Sequence, residues 1–154
     1  MPDAPHIMIV ESPYYDEIAD ALLEGATAVL DAAGARYDRF QVAGSFEIPA
    51  AIRFAVNAMR QHADAVRYDG FIGLGCVIRG ETSHYDYVCQ ESARAMQDLA
   101  VNEALAIGYG ILTVENRDQA LARARPDRHD RGGHAARACL AMIELRRHFR
   151  LTGE

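Results

Sequence analysis

One histidine in this chain stands where proton transfer is a reasonable job. His84 opens a helical segment directly behind Gly80-Glu81-Thr82-Ser83, a polar loop that follows the apolar run Phe71 to Ile78. A loop that joins a strand to a helix start turns its unpaired backbone N–H groups outward at the positive end of the helix dipole. That arrangement binds an anion, typically phosphate, without a lysine. A histidine beside such a site can accept a proton and return it, which is general acid–base work. Thr82 and Ser83 are also good capping residues, so the segment alone leaves an anion site and an ordinary capped helix both open. The remaining histidines, His6, His62, His129, His134 and His148, fall on a strand edge, a helix end, a charged loop and a basic C-terminal helix. None of them sits on a glycine-bearing strand-to-helix junction.

Other residue types extend this chemistry. Arg123 and Arg131 flank a charge-rich loop and can grip an anion through two parallel N–H donors; a solvated arginine is the plain alternative. Tyr14 and Phe46 lie after the first and second strand-like runs, where two rings make a stacking platform for a flat heterocycle. Glu47 can bond a polyol hydroxyl, or simply be an acid in the first turn of a helix. The run Gly73-Leu74-Gly75-Cys76-Val77-Ile78 lacks the third glycine of a dinucleotide-binding fingerprint, and no Gly-Lys-Ser/Thr marks a P-loop. Its glycines fit a strand approached closely by another backbone, a packed helix or a flat ligand.

The elements that must position these residues follow from periodicity. Apolar, β-branched runs predict strands at His6 to Val10, Arg36 to Val42, Phe71 to Ile78 and Gly108 to Val114. Helical spacing predicts helices over 14–33, 48–63, 84–105, a short one from an Asn116 cap to Arg125, and 135–150. Ser12 and Pro13 are expected to start the first helix and Gly34 to stop it. Pro126 to Gly133 reads as a charged, glycine-closed loop. Strands alternating with helices along the whole chain predict βαβ units, a parallel sheet covered by helices, and a ligand crevice at the carboxyl ends of the strands.

Composition narrows the function classes. The chain has 154 residues, enough for a single domain spanning 1–154, with half its residues apolar. Its 22 acidic against 16 basic side chains give a net charge of −6, a poor match to nucleic acid. Cys76, Cys89 and Cys139 are odd in number and lack metal-ligand spacing. Neither a disulfide framework nor a zinc site is expected, and a reducing cytoplasm is. No apolar run reaches the roughly 20 residues of a membrane helix, and none precedes Glu11 in the manner of a secretory signal.

The order of motifs then becomes recognisable. Gly44-Ser45-Phe46-Glu47-Ile48-Pro49, the block from Gly73 through Arg79-Gly80-Glu81-Thr82-Ser83-His84-Tyr85-Asp86-Tyr87-Val88, and Gly110 to Asn116 resemble the 6,7-dimethyl-8-ribityllumazine synthases of riboflavin biosynthesis. The resemblance spans about residues 6–148. It implies a flavodoxin-like three-layer sandwich with a four-stranded parallel sheet. It also implies an enzyme that condenses 5-amino-6-ribitylaminouracil with 3,4-dihydroxy-2-butanone 4-phosphate, without metal or organic cofactor. Imine formation, phosphate loss, ring closure and dehydration are the family's steps, carried out between neighbouring subunits of a pentamer.

Residue by residue, the resemblance gives His84 the role of proton carrier. Gly80, Glu81 and Thr82 match the phosphate loop, and Arg123 matches an arginine that closes on the phosphate from the neighbour. Tyr14 matches the aromatic that stacks on the pyrimidine. Ser45, Phe46 and Glu47 match the segment that binds the ribityl chain, and Val77 and Ile78 match backbone contacts to the uracil. Tyr109 stands where the family has a phenylalanine across the interface, and Arg131 where it has a lysine. Only Met1 to Pro5 precede the first strand, too few for the leading strand that many members lay on a neighbour. The loop Pro126 to Arg131 lacks the small, glycine-rich turn of shell-forming members, so a lone pentamer is expected over a decamer or a 60-subunit shell. A carrier or sensor that holds lumazine or flavin without turnover is the alternative on the same fold.

Overall fold

The computed structural model describes residues 3–151. Four strands, β1 (His6–Glu11), β2 (Arg36–Gln41), β3 (Gly70–Ile78) and β4 (Ile107–Val114), form one parallel sheet in the order β2-β1-β3-β4. Helices α1 (Asp16–Ala32), α4 (Arg117–Ala124) and α5 (Arg131–His148) cover one face. Helices α2 (Ile48–Gln61) and α3 (His84–Asn102) cover the other. This is the flavodoxin-like three-layer architecture.

The apolar runs are continuous because both faces of the inner strands are covered. Ile7 and Ile9 of β1 pack into the α1/α5 cluster with Ile18, Leu22 and Leu30, while Met8 and Val10 pack under α2 and α3 with Ile52, Phe71 and Met96. β2 is an edge strand, and its exposed Arg36, Arg39 and Gln41 suit an edge that must not pair with a foreign strand. The chain steps outward from β1 to β2, then crosses back over β1 to reach β3. The reversal lies between β1 and β3, and a crevice is expected outside the carboxyl ends of strands at such a point.

Several boundaries differ from the sequence expectation, each for a tertiary reason. Ser12 does not cap α1: its N–H donates to the Leu74 carbonyl at 2.9 Å and prolongs the β1–β3 ladder. The helix begins at Asp16 after Tyr15, which makes no side-chain cap. Gly34 does end α1, in the left-handed region at φ 71°. α3 stops at Asn102, short of Leu105, and Ala104 at φ 53° turns the chain out of the helix.

The largest difference lies at α5, which starts at Arg131 and not Ala135. Gly132 and Gly133 are therefore helical residues. Asp130, itself at φ 49°, accepts a hydrogen bond from the Gly133 N–H at 3.2 Å. A Cβ on Gly132 would stand 2.0 Å from the Leu22 carbonyl oxygen of α1. The glycine pair lets two helices touch, where the sequence alone reads it as a loop. Met1 and Pro2, part of the short N-terminus on which the expectation of a lone pentamer rests, lie outside the described residues.

Candidate active site

The loops after β1, β2 and β3 meet around a cleft of about 420 Å³ at the β1/β3 reversal. Ser12, Tyr14 and Tyr15 line it from the loop after β1, and residues Ala43 to Glu47 from the loop after β2. Cys76, Val77 and Ile78 come from the end of β3, and His84 and Val88 from α3. The volume falls within the range of small-molecule sites.

The first wall is aromatic. Tyr14 is 73% exposed and meets Tyr15 in a T-shaped contact, centroids 4.9 Å apart. Phe46, also exposed, stands on the wall after β2. Two large rings left in water on facing loops are costly unless something flat fills the space between them.

The second wall is polar. Ser45 to Glu47 form one 3₁₀ turn, closed by the Glu47 N–H donating to the Gly44 carbonyl at 3.1 Å, and Pro49 then sits in the first turn of α2. The turn drives Ser45 inward until it is only 5% exposed. Its Oγ has no hydrogen-bond partner among the described residues. A Cβ on Gly75 would stand 2.4 Å from that oxygen, so the glycine makes room for the hydroxyl. Gly73 serves packing instead: a Cβ there would meet Ile48 and Met96, both at 2.9 Å. Beside Gly75, burial pushes the Cys76 thiol up to about 12, so it lines the cleft as an uncharged group.

His84 is the first residue of α3, exposed, with its N–H donating to Thr82 Oγ1 at 3.3 Å. Ser83 occupies the cap position without a side-chain cap bond. Among the described residues, no acceptor takes the N–H groups of Gly80, Glu81, Thr82 or Ser83. Nothing lies within 4 Å of where a Gly80 side chain would begin. The loop is a solvent-facing row of donors that leads directly into His84. Its first anchor is Arg79, whose Nε donates to Glu115 at 2.7 Å. The Arg79 guanidinium also lies 4.3 Å above the Tyr85 ring and 3.5 Å from Asp86. Arg79 thus ties the loop to both the start of α4 and the first turn of α3.

Of the residues singled out from sequence, Tyr14, Ser45, Phe46, Glu47, Val77, Ile78 and His84 line the cleft, and Gly80, Glu81 and Thr82 run into it through His84. Three do not line it within one chain. Tyr109, on β4, faces a separate depression with Ala93, Met96, Gln97 and Ala100. Arg123, on α4, donates to its own helix at the Gln119 carbonyl, 3.1 Å away. Arg131 is exposed at the start of α5. Sequence reasoning passed over Tyr15, Cys76 and Val88, which also line the cleft. Tyr15 had a signal in its neighbour Tyr14; Val88, one helical turn beyond His84, looked like any core residue.

Fold and cleft together define a flavodoxin-like α/β protein with a cleft of small-molecule size at its switch point. A sequence profile described as 6,7-dimethyl-8-ribityllumazine synthase matches residues 4–147. The chain belongs to that family. It is 59% identical over 141 residues to 6,7-dimethyl-8-ribityllumazine synthase 1 of Rhizobium meliloti, covering 92% of this chain and 91% of the relative. It is 57% identical to the synthase of Agrobacterium fabrum (93% and 95% covered) and 49% identical to that of Paramagnetospirillum magneticum (95% and 97% covered).

Proposed function

We propose that this protein condenses 5-amino-6-ribitylaminouracil with 3,4-dihydroxy-2-butanone 4-phosphate to 6,7-dimethyl-8-ribityllumazine, releasing phosphate and water, as a transferase of riboflavin biosynthesis. The observation that carries the reading is the composition of the cleft at the β1/β3 reversal, which combines an aromatic wall, a buried unpartnered hydroxyl and a histidine next to open backbone donors. Tyr14 stacks on the pyrimidine with Phe46 opposite. Ser45 and Glu47 take hydroxyls of the ribityl chain, and the backbone at Val77 and Ile78 meets the uracil edge. Gly80, Glu81 and Thr82 hold the phosphate with N–H groups and a hydroxyl at the α3 dipole. His84 then moves protons as the imine forms and phosphate leaves. Holding both substrates in one orientation supplies much of the acceleration.

The site is completed by a second copy of the chain. Arg123, Arg131 and Tyr109 fall outside the cleft of their own chain, and a neighbour's Arg123 closes the phosphate site. Exposed Phe54, Tyr87, Val101 and Tyr109 on the α2, α3 and β4 side offer apolar surface for such a contact. A cyclic pentamer of single-domain chains in the cytoplasm is the assembly this reading favours. Among the described residues no helix is long and apolar enough to cross a membrane.

Mixing the purified protein with both substrates and following the lumazine absorbance band tests the reading. Turnover is expected, with His84→Ala lowering kcat by roughly 10–10²-fold while the pyrimidine still binds. Wild-type turnover in His84→Ala would remove the histidine from proton transfer. Tight lumazine binding without any turnover would make the protein a carrier.

A further inference from the structure

We propose that Glu11 and Arg39 form a positioning clamp that sets the spacing between the two loops walling the cleft, and so tunes affinity for the pyrimidine substrate. The inference rests on the catalytic reading above and adds to it two residues that touch no substrate.

Glu11 ends the apolar run of β1, yet its carboxylate is buried, with a side chain only 7% exposed. It is held from β2 by a fork: Arg39 Nε donates to Oε2 at 3.1 Å and Nη2 to Oε1 at 3.0 Å. Gln41 adds a longer contact from Nε2 to Oε1 at 3.4 Å. In the β1–β2 register Glu11 faces Gln41, while Arg39 faces Ile9 and reaches the acid diagonally. The same residue also finishes the backbone ladder, since the Val42 N–H donates to the Glu11 carbonyl at 2.9 Å. Beyond this point the two strands become the two walls of the cleft. Ser12, Tyr14 and Tyr15 follow Glu11, and Ala43 to Glu47 follow Gln41 and Val42.

Stability does not explain the arrangement. Removing a carboxylate from water costs about as much as its partner returns, and two apolar residues of similar size would close this sheet edge as well. What a bidentate pair adds is geometry: a planar fork fixes distance and angle between the strands it joins. Here the fixed point lies one residue before Ser12 and three before Tyr14, against the strand that delivers Ser45 and Phe46. Stacking and hydroxyl contacts both depend on how far apart those loops stand.

The test uses the full-length protein and titrates 6,7-dimethyl-8-ribityllumazine by its fluorescence, beside steady-state kinetics. Arg39→Met strands a buried carboxylate and can unfold the protein. The decisive variant is therefore the double substitution Glu11→Val with Arg39→Val, an apolar β-branched pair that suits adjacent strands. Its lumazine Kd and its KM for the pyrimidine are expected to rise about tenfold, with kcat within about twofold and KM for the butanone phosphate unchanged. Arg39→Lys, which keeps one charged donor, is expected to fall between wild type and the double variant. A folded double variant with wild-type Kd and KM overturns the clamp. A wild-type protein that binds no lumazine overturns the catalytic reading itself, so the two failures are distinguishable.

Discussion

Ser45→Ala should move apo stability and ligand affinity in opposite directions. Ser45 is only 5% exposed, and its hydroxyl is buried with no partner among the described residues. A buried hydroxyl in that state costs about 1–3 kcal/mol. Deleting it relieves that cost and leaves a cavity of one oxygen, so the ligand-free protein is expected to gain about 1 kcal/mol. For a chain of this size that is roughly 2–4 °C in Tm. On the proposed function the same hydroxyl supplies a hydrogen bond once a polyol chain enters the cleft, and losing a bond of about 0.5–1.5 kcal/mol weakens lumazine roughly two- to twelvefold. Differential scanning fluorimetry without ligand and a fluorescence titration with lumazine measure the two effects separately. Gly75→Ala is the companion, since its Cβ would stand 2.4 Å from the Ser45 oxygen. It should displace the hydroxyl and weaken binding without any gain in Tm. A lower Tm with unchanged affinity in Ser45→Ala would refute the reasoning, because the hydroxyl would then serve the fold and not the ligand.

Arg123→Ala should raise KM for the phosphate-bearing substrate by roughly 10–10²-fold, the worth of a charged hydrogen-bond pair; an unchanged KM takes Arg123 out of the site. Co-expressing His84→Ala chains with Arg123→Ala chains should restore activity above that of either variant, through cleft pairs in which both groups are intact; no recovery means the site is not shared between copies. Gly132→Ala places a Cβ 2.0 Å from the Leu22 carbonyl oxygen and should cost about 1–3 kcal/mol in urea denaturation; a wild-type midpoint would mean the α1–α5 spacing yields freely. Hydrogen bonds from Arg53, and then Arg60, hold the Glu103 carboxyl below its ordinary 4.5. A depressed carboxylate contributes stability above that value and loses it as pH falls through the folded-state value. The destabilisation caused by Glu103→Gln should therefore be present at pH 7 and shrink as pH falls below the ordinary 4.5, and a difference that stays unchanged throughout acid titration would break the assignment.

The architecture was legible in the sequence wherever the signal is local. β3 reads as a strand because both its faces are apolar, and that follows from composition along the chain. Gly34 stops α1 through its own φ, and Asn116 caps α4 through its own side chain, accepting from the Gln119 N–H at 2.9 Å. The loop Gly80 to Ser83 before His84 is equally local, since a strand, a glycine and a helix start suffice to define it. What the sequence could not decide depends on partners distant along the chain. Gly132 and Gly133 look like a loop until Leu22 arrives against them, and Ser12 looks like a cap until Leu74 claims its N–H. The pairing of Glu11 with Arg39 spans 28 positions and leaves no periodic trace, because an acid ending a strand is ordinarily just a solvated end. Tyr109 and Arg123 carry the same limit one step further. Their residue types suit the site, but β4 and α4 carry them away from their own cleft, and only a second chain could bring them to one. Short-range backbone preference is written residue by residue; close approach, burial of a charge and the meeting of separate loops exist only once the chain has folded.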